Sequence, residues 1–111
     1  MISTHVLDAS AGTPAAGVRV TLEIRAGETW ISCGSGITDA DGRVRELHGP
    51  GPAFIAGRYR AGFDTGTYFA ARGLSAFHPA VSVEFLVTNA SEHHHVPLLL
   101  GPFGYTTYRG S

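Results

Sequence analysis

Short runs in which apolar and polar side chains strictly alternate are what most limit the folds open to this chain. Val18, Val20, Leu22 and Ile24 alternate with Arg19, Thr21, Glu23 and Arg25. Val81, Val83, Phe85 and Val87 stand against Ser82, Glu84 and Thr88, and Tyr59, Ala61 and Phe63 against Arg58, Arg60 and Gly62. A strand sends successive side chains to opposite faces, so period two means a sheet with one face buried, whereas a helix would need period 3.6. Turn residues separate the runs: Gly12-Thr13-Pro14 with Gly17, Asp39-Ala40-Asp41-Gly42, and Gly49-Pro50-Gly51-Pro52. The pattern predicts eight strands, at about 2–8, 18–26, 29–36, 43–47, 56–63, 81–88, 94–100 and 104–110. One short helix is expected over residues 65–72, stopped by Gly73. The expected class is all-β, an antiparallel sandwich or barrel.

A chain of 111 residues is expected to form one domain, residues 1–111. With 43% hydrophobic and 15% charged residues it is too apolar to be disordered. The sparse charge and the net charge of −1 favour an oligomer over a well-repelled monomer. No basic stripe suggests a nucleic-acid partner. No apolar run approaches the ~18 residues of a membrane span, and Met1-Ile2-Ser3-Thr4 does not look like a leader. A soluble, cytoplasmic protein is therefore expected. The single cysteine, Cys33, rules out an internal disulfide and reads as a small buried hydrophobe.

Three regions carry side chains suited to chemistry. His5 shares a strand face with Ser3 and Leu7, and His95 shares one with His93, Pro97 and Leu99, while His94 and Val96 face the other way. Histidines at i and i+2 can reach one ligand, so the choices are a polar edge strand, a substrate site, or a zinc site on His5, His93 and His95. Arg43 follows the Asp39-Ala40-Asp41-Gly42 turn, which lacks the later ligands of a calcium loop. His48 and His78 lie beside Gly/Pro turns and are expected in solvent. The segment Tyr108-Arg109-Gly110-Ser111 follows a strand-like run and is expected to be tied into the fold. No nucleophile elbow, phosphate loop or dinucleotide fingerprint occurs. On these grounds alone the substrate stays unnamed.

Longer motifs go further. His5-Val6-Leu7-Asp8 followed by Gly12-Thr13-Pro14-Ala15-Ala16-Gly17-Val18 resembles the opening signature of the transthyretin-like family. His95-Val96-Pro97-Leu98-Leu99-Leu100 continuing through Gly104-Tyr105-Thr106-Thr107-Tyr108-Arg109-Gly110-Ser111 resembles its closing signature. Thr38 to Arg43 and Gly57-Arg58-Tyr59-Arg60 also fit, so the resemblance spans nearly the whole chain. Gly101 stands where serine is common and His94 where tyrosine is common. The resemblance implies an eight-stranded antiparallel β-sandwich of the transthyretin (prealbumin) type, assembled as a homotetramer, a dimer of dimers. It also implies one of two functions. The 5-hydroxyisourate hydrolase branch is marked by a first-strand histidine, an arginine after the central turn, a seventh-strand histidine and a Tyr-Arg-Gly-Ser end. Here those are His5, Arg43, His95 and Tyr108 to Ser111. The implied catalytic residues are His5, Arg43, His95 and Ser111. Those implied to bind the small-molecule substrate are His5, Arg43, Tyr108, Arg109 and Gly110, with no metal and no cofactor. The alternative is a small-molecule carrier on the same scaffold.

Overall fold

The computed structural model describes residues 1–51 and 53–111. Pro52, the last residue of the turn expected at Gly49–Pro52, lies outside the described residues. The strands are β1 (Ile2–Asp8), β2 (Thr13–Pro14), β3 (Arg19–Ala26), β4 (Thr29–Ile37), β5 (Arg43–Val44), β6 (Gly57–Phe63), β7 (Val81–Val87), β8 (His94–Leu100) and β9 (Tyr105–Thr107). One helix, α1 (Thr65–Ala70), lies between β6 and β7.

Two sheets pack face to face. One runs β4-β3-β6-β7; the other runs β2-β1-β8-β9, with β5 also paired to β1. Alternation decides which side chains meet between them. Val20 and Leu22 of β3, Tyr59 and Phe63 of β6, Ile2 and Val6 of β1, and Leu98 and Leu100 of β8 are all fully buried. Cys33 is buried as expected, and burial, with the charge of Glu23 adding to it, pushes its thiol pKa up. His94 also points inward, is 4% exposed, and donates from Nδ1 to the Glu92 carbonyl at 3.0 Å.

The structure differs from the expected pattern in five places. All pairings are antiparallel except β1 with β8, which run parallel over seven residues, from Ile2 opposite His94 to Asp8 opposite Leu100. Thr13 and Pro14, expected as turn, pair with Asp8 and Leu7 as β2. The strand expected at 43–47 keeps only Arg43–Val44, after which the Leu47 side chain turns into the core and its N–H donates to the Ile2 carbonyl at 2.8 Å. The strand expected at 104–110 stops at Thr107, leaving Gly110 to rejoin the sheet by a single bridge to His95. The helix ends at Ala70, before Gly73 at φ +73°.

Asp8 ties the end of β1 to α1. Its carboxylate accepts from the Tyr68 hydroxyl at 2.7 Å, the Ser10 hydroxyl at 2.6 Å, and the Ser10 and Ala11 amides at 3.0 Å. Burial raises its pKa, but these bonds outweigh it and hold Asp8 below the usual carboxylate value. The same contact, with burial acting first, pushes Tyr68 up to about 12. A carboxylate with a lowered folded pKa contributes stability above its unfolded pKa of ~3.9, and that contribution is lost as pH falls through the folded value. Tyr68→Phe is therefore expected to cost about 2 kcal/mol at neutral pH and to flatten the acid side of the stability curve. Urea unfolding at several pH values measures both.

Candidate active site

The parallel β1–β8 register assembles the site. It sets Ser3 opposite His95, His5 opposite Pro97 and Leu7 opposite Leu99, all on the face turned away from the core. On the other edge of β1, Arg43 of β5 pairs with His5. On the far side of β8, Gly110 bridges to His95. Two adjacent rows thus cross the sheet, Arg43–His5–Pro97 and Ser3–His95–Gly110. With strands ~4.8 Å apart, the side chains of both rows stand within reach of one small molecule.

Each member is held by local structure. Asp39 closes the turn before Arg43: its carboxylate accepts from the Asp41 amide at 2.9 Å and the Arg43 amide at 3.0 Å. Those contacts, with the bond to Arg43 leading, hold Asp39 below the usual carboxylate pKa. Gly42, at φ +77°, lies so close to the Val6 carbonyl that a Cβ would strike it. The turn thus uses its acidic residue on the backbone and aims Arg43 at the sheet face. Among the described residues, no carboxylate lies within 4.0 Å of the Arg43 guanidinium. His5 has Nε2 2.9 Å from the Asp41 carbonyl. A carbonyl only accepts, so Nε2 donates and the neutral ring keeps its Nδ1 lone pair free.

His95 is half-buried, and its pKa is lowered by burial first, then by the positive charge of Arg43 and by His5 and His93. It stays neutral at pH values where a solvated imidazole would be charged. Its Nδ1 lies 2.7 Å from the Ser3 hydroxyl, which is also 2.6 Å from Nε2 of His93. Ser3 was not anticipated as a site residue; the only available signal was that it shares a face with His5.

The C-terminal segment closes over His95. The Gly110 amide donates to the His95 carbonyl at 2.9 Å. A Cβ on Gly110 would sit 2.5 Å from Cδ2 of the His95 ring and 3.1 Å from Pro97, so only glycine allows this approach. Tyr108 and Ser111 are exposed, and Arg109 lies 4.0 Å from Glu92 at the surface. A groove of about 310 Å³ is lined by His95, Tyr108, Arg109 and residues of β7. A second of about 310 Å³ is lined by Ser3, Arg43, Glu46 and His93. His95, Tyr108 and Arg109 thus line one groove and Arg43 the other.

Other histidines lie elsewhere. His48 packs its ring against Phe54 at 5.5 Å, and His78 sits between Phe77 at 5.0 Å and Tyr105 at 5.2 Å. Both are half-buried against aromatic rings, not in solvent as expected. Among the described residues, no group of three or more His, Cys, Asp or Glu side chains is arranged to hold a metal ion. His93 and His95 instead direct one nitrogen each at the Ser3 hydroxyl. No described helix is long and apolar enough to cross a membrane.

Comparison with known proteins agrees with this architecture. The chain is 46% identical over 111 residues to a 5-hydroxyisourate hydrolase of Salmonella dublin, covering 100% of this chain and 81% of the relative. Its fold is similar to that of the Klebsiella pneumoniae 5-hydroxyisourate hydrolase, with a TM-score of 0.84, 36% identity, and coverage of 99% and 98% of the two chains. It is also similar to sea bream transthyretin in complex with thyroxine, with a TM-score of 0.90, 34% identity, and coverage of 98% and 93%. The sequence model of the HIUase/transthyretin family matches residues 2–110, and the chain belongs to that family.

Proposed function

We propose that this protein hydrolyses 5-hydroxyisourate to 2-oxo-4-hydroxy-4-carboxy-5-ureidoimidazoline, a step of uric acid degradation, in the cytoplasm. The observation that carries the reading is the convergence of His5, Arg43 and His95 on one outward sheet face, with the Gly110 segment against it. Hydrolase relatives at 46% identity over the whole chain support the same activity. A carrier for an apolar ligand needs an apolar lining, whereas this face offers a guanidinium and two imidazoles with free lone pairs.

The chemistry follows from what each group can do. Water must attack a ring amide carbonyl, which calls for a base and for donors to the developing oxyanion. A neutral His95 accepts the water proton, and its lowered pKa keeps it in the accepting form near neutral pH. His5, anchored through Nε2, presents Nδ1 to orient the water or the substrate. Arg43, without a carboxylate partner among the described residues, turns its forked donors on the carbonyl oxygens as charge builds there. Tyr108, Arg109 and Ser111 position the substrate at the rim, with the Gly110 amide holding their segment on β8. No step calls for a covalent intermediate or a cofactor.

The working form in this proposal is a homotetramer, a dimer of dimers whose sites form between copies. Two features support it. His95 and Arg43 stand on an open sheet face but line two different grooves. Large apolar side chains are exposed beside His95, Leu86 at 68% and Tyr108 at 56%, as interfaces require.

Purified protein should accelerate loss of the 5-hydroxyisourate ultraviolet absorbance beyond spontaneous decay. His95→Asn, His5→Asn and Arg43→Glu should each reduce turnover by ~10²–10⁴-fold with circular dichroism unchanged; near-normal turnover in one of them removes that residue from the mechanism. Gly110→Ala should disturb the His95 ring and lower activity sharply while the melting temperature stays near the parent value. Removal of residues 108–111 should do the same, and a folded, fully active truncation would exclude the segment from the site. Light scattering of dilute protein should give the mass of four chains, and a fully active monomer would contradict a shared site.

A further inference from the structure

We propose that Ser3 is a positioning residue that joins His95 to His93 in a proton relay, so that the proton taken from the attacking water leaves through His93. The inference rests on the hydrolase reading above and deepens it. Its basis is the Ser3 hydroxyl, 2.7 Å from Nδ1 of His95 and 2.6 Å from Nε2 of His93. Ser3 is 8% exposed and is fixed opposite His95 by the parallel register, so the contact is built into the sheet.

Hydrogen-bond counting limits Ser3 to one donated bond. A hydroxyl owns one proton, so Ser3 donates to one ring and accepts from the other. In the productive arrangement His95 donates from Nδ1 to Ser3 Oγ, and Ser3 donates to Nε2 of His93. His95 then carries no proton on Nε2, a nitrogen that makes no hydrogen bond among the described residues, and its lone pair is the one offered to water. Water loses a proton to Nε2 of His95 as its oxygen bonds to the carbonyl carbon. The Nδ1 proton of His95 passes to Ser3 Oγ, and the original hydroxyl proton passes to Nε2 of His93. His95 ends neutral with its proton on Nε2, Ser3 is again a hydroxyl, and His93 holds the positive charge. One O–H bond of water is broken, one N–H bond is gained at His93, and no charge stays on His95.

The surroundings favour that outcome. A charge on half-buried His95 would face Arg43 and His5. His93 is exposed, and its groove also holds Met1, Arg43, Arg45 and the Glu46 carboxylate. Exposed His93 can pass the proton on to solvent directly, which half-buried His95 cannot. A serine present only to fill space would not need a ring nitrogen on each side within 2.7 Å.

The test compares the parent enzyme with Ser3→Ala, His93→Asn and the double variant, by steady-state kinetics on 5-hydroxyisourate and by ¹⁵N NMR of the imidazoles. Each single variant should lower kcat about tenfold with KM within about twofold, and the double should be no worse than the poorer single, because both interrupt one path. Losses that multiply, a loss confined to KM, or unchanged kcat in the singles would overturn the relay. His93 is exposed, so His93→Asn keeps the test available if Ser3→Ala fails to fold. NMR reads the linkage without substrate. In the parent, His95 should carry its proton on Nδ1, and Ser3→Ala should shift it toward Nε2; a proton on Nε2 in the parent, or no change in the variant, contradicts the relay. An inactive parent would instead defeat the hydrolase reading, and the NMR result would still decide whether Ser3 links the two rings.

Discussion

The parallel pairing of β1 with β8 is the contact on which the rest of the structure depends. It runs unbroken for seven residues, and its register decides two things together. Ile2, Val6, Leu98 and Leu100 go to the core, and Ser3, His5 and His95 go to the outer face. A slip of one residue would exchange the faces, burying the polar set and exposing the apolar one. The hydrophobic effect thus enforces the register, and the register places the site. Parallel strands cannot be joined by a tight turn, so nearly the whole chain, from β2 to β7, forms the connection.

The scaffold alone does not choose a function. Similar folds occur in a hydrolase at a TM-score of 0.84 and in thyroxine-bound transthyretin at 0.90. The distinction lies in a few side chains on one sheet face. His95, whose pKa burial and then Arg43 lower, is the base of the proposed mechanism. Arg43 is aimed by a turn whose Asp39 is occupied by backbone amides. Gly110 lets the chain lie against the His95 ring where any side chain would collide.

Much of this was legible in the sequence, because period two reports faces directly. The sequence pattern placed β1, β3, β4, β6, β7 and β8 within a residue or so, and it put His93 and His95 on one face of β8 and His94 on the other. Alternation carries no information about strand direction, so the parallel pairing was out of reach. Thr13-Pro14 carries turn chemistry, which concealed β2. Arg43 to Leu47 reads as a longer strand because nothing local shows that Leu47 is drawn inward by the core. Ser3 gave no signal by itself: a serine in a strand is ordinary, and its meaning comes from two rings brought to it from ninety residues away. The Asp8–Tyr68 clamp was hidden for the same reason.

The central claim is that a neutral imidazole on this face, held below its ordinary pKa, performs the hydrolysis. The pH dependence of kcat/KM for 5-hydroxyisourate tests it most directly. Because the pKa of His95 is lowered, the neutral base persists as pH falls. The account predicts a rate that holds through neutral pH and drops only below the ordinary histidine value of ~6.5, with that limb absent from the residual activity of His95→Asn. A rate that rises as the pH falls through this range, or a limb that His95→Asn leaves unchanged, would contradict it.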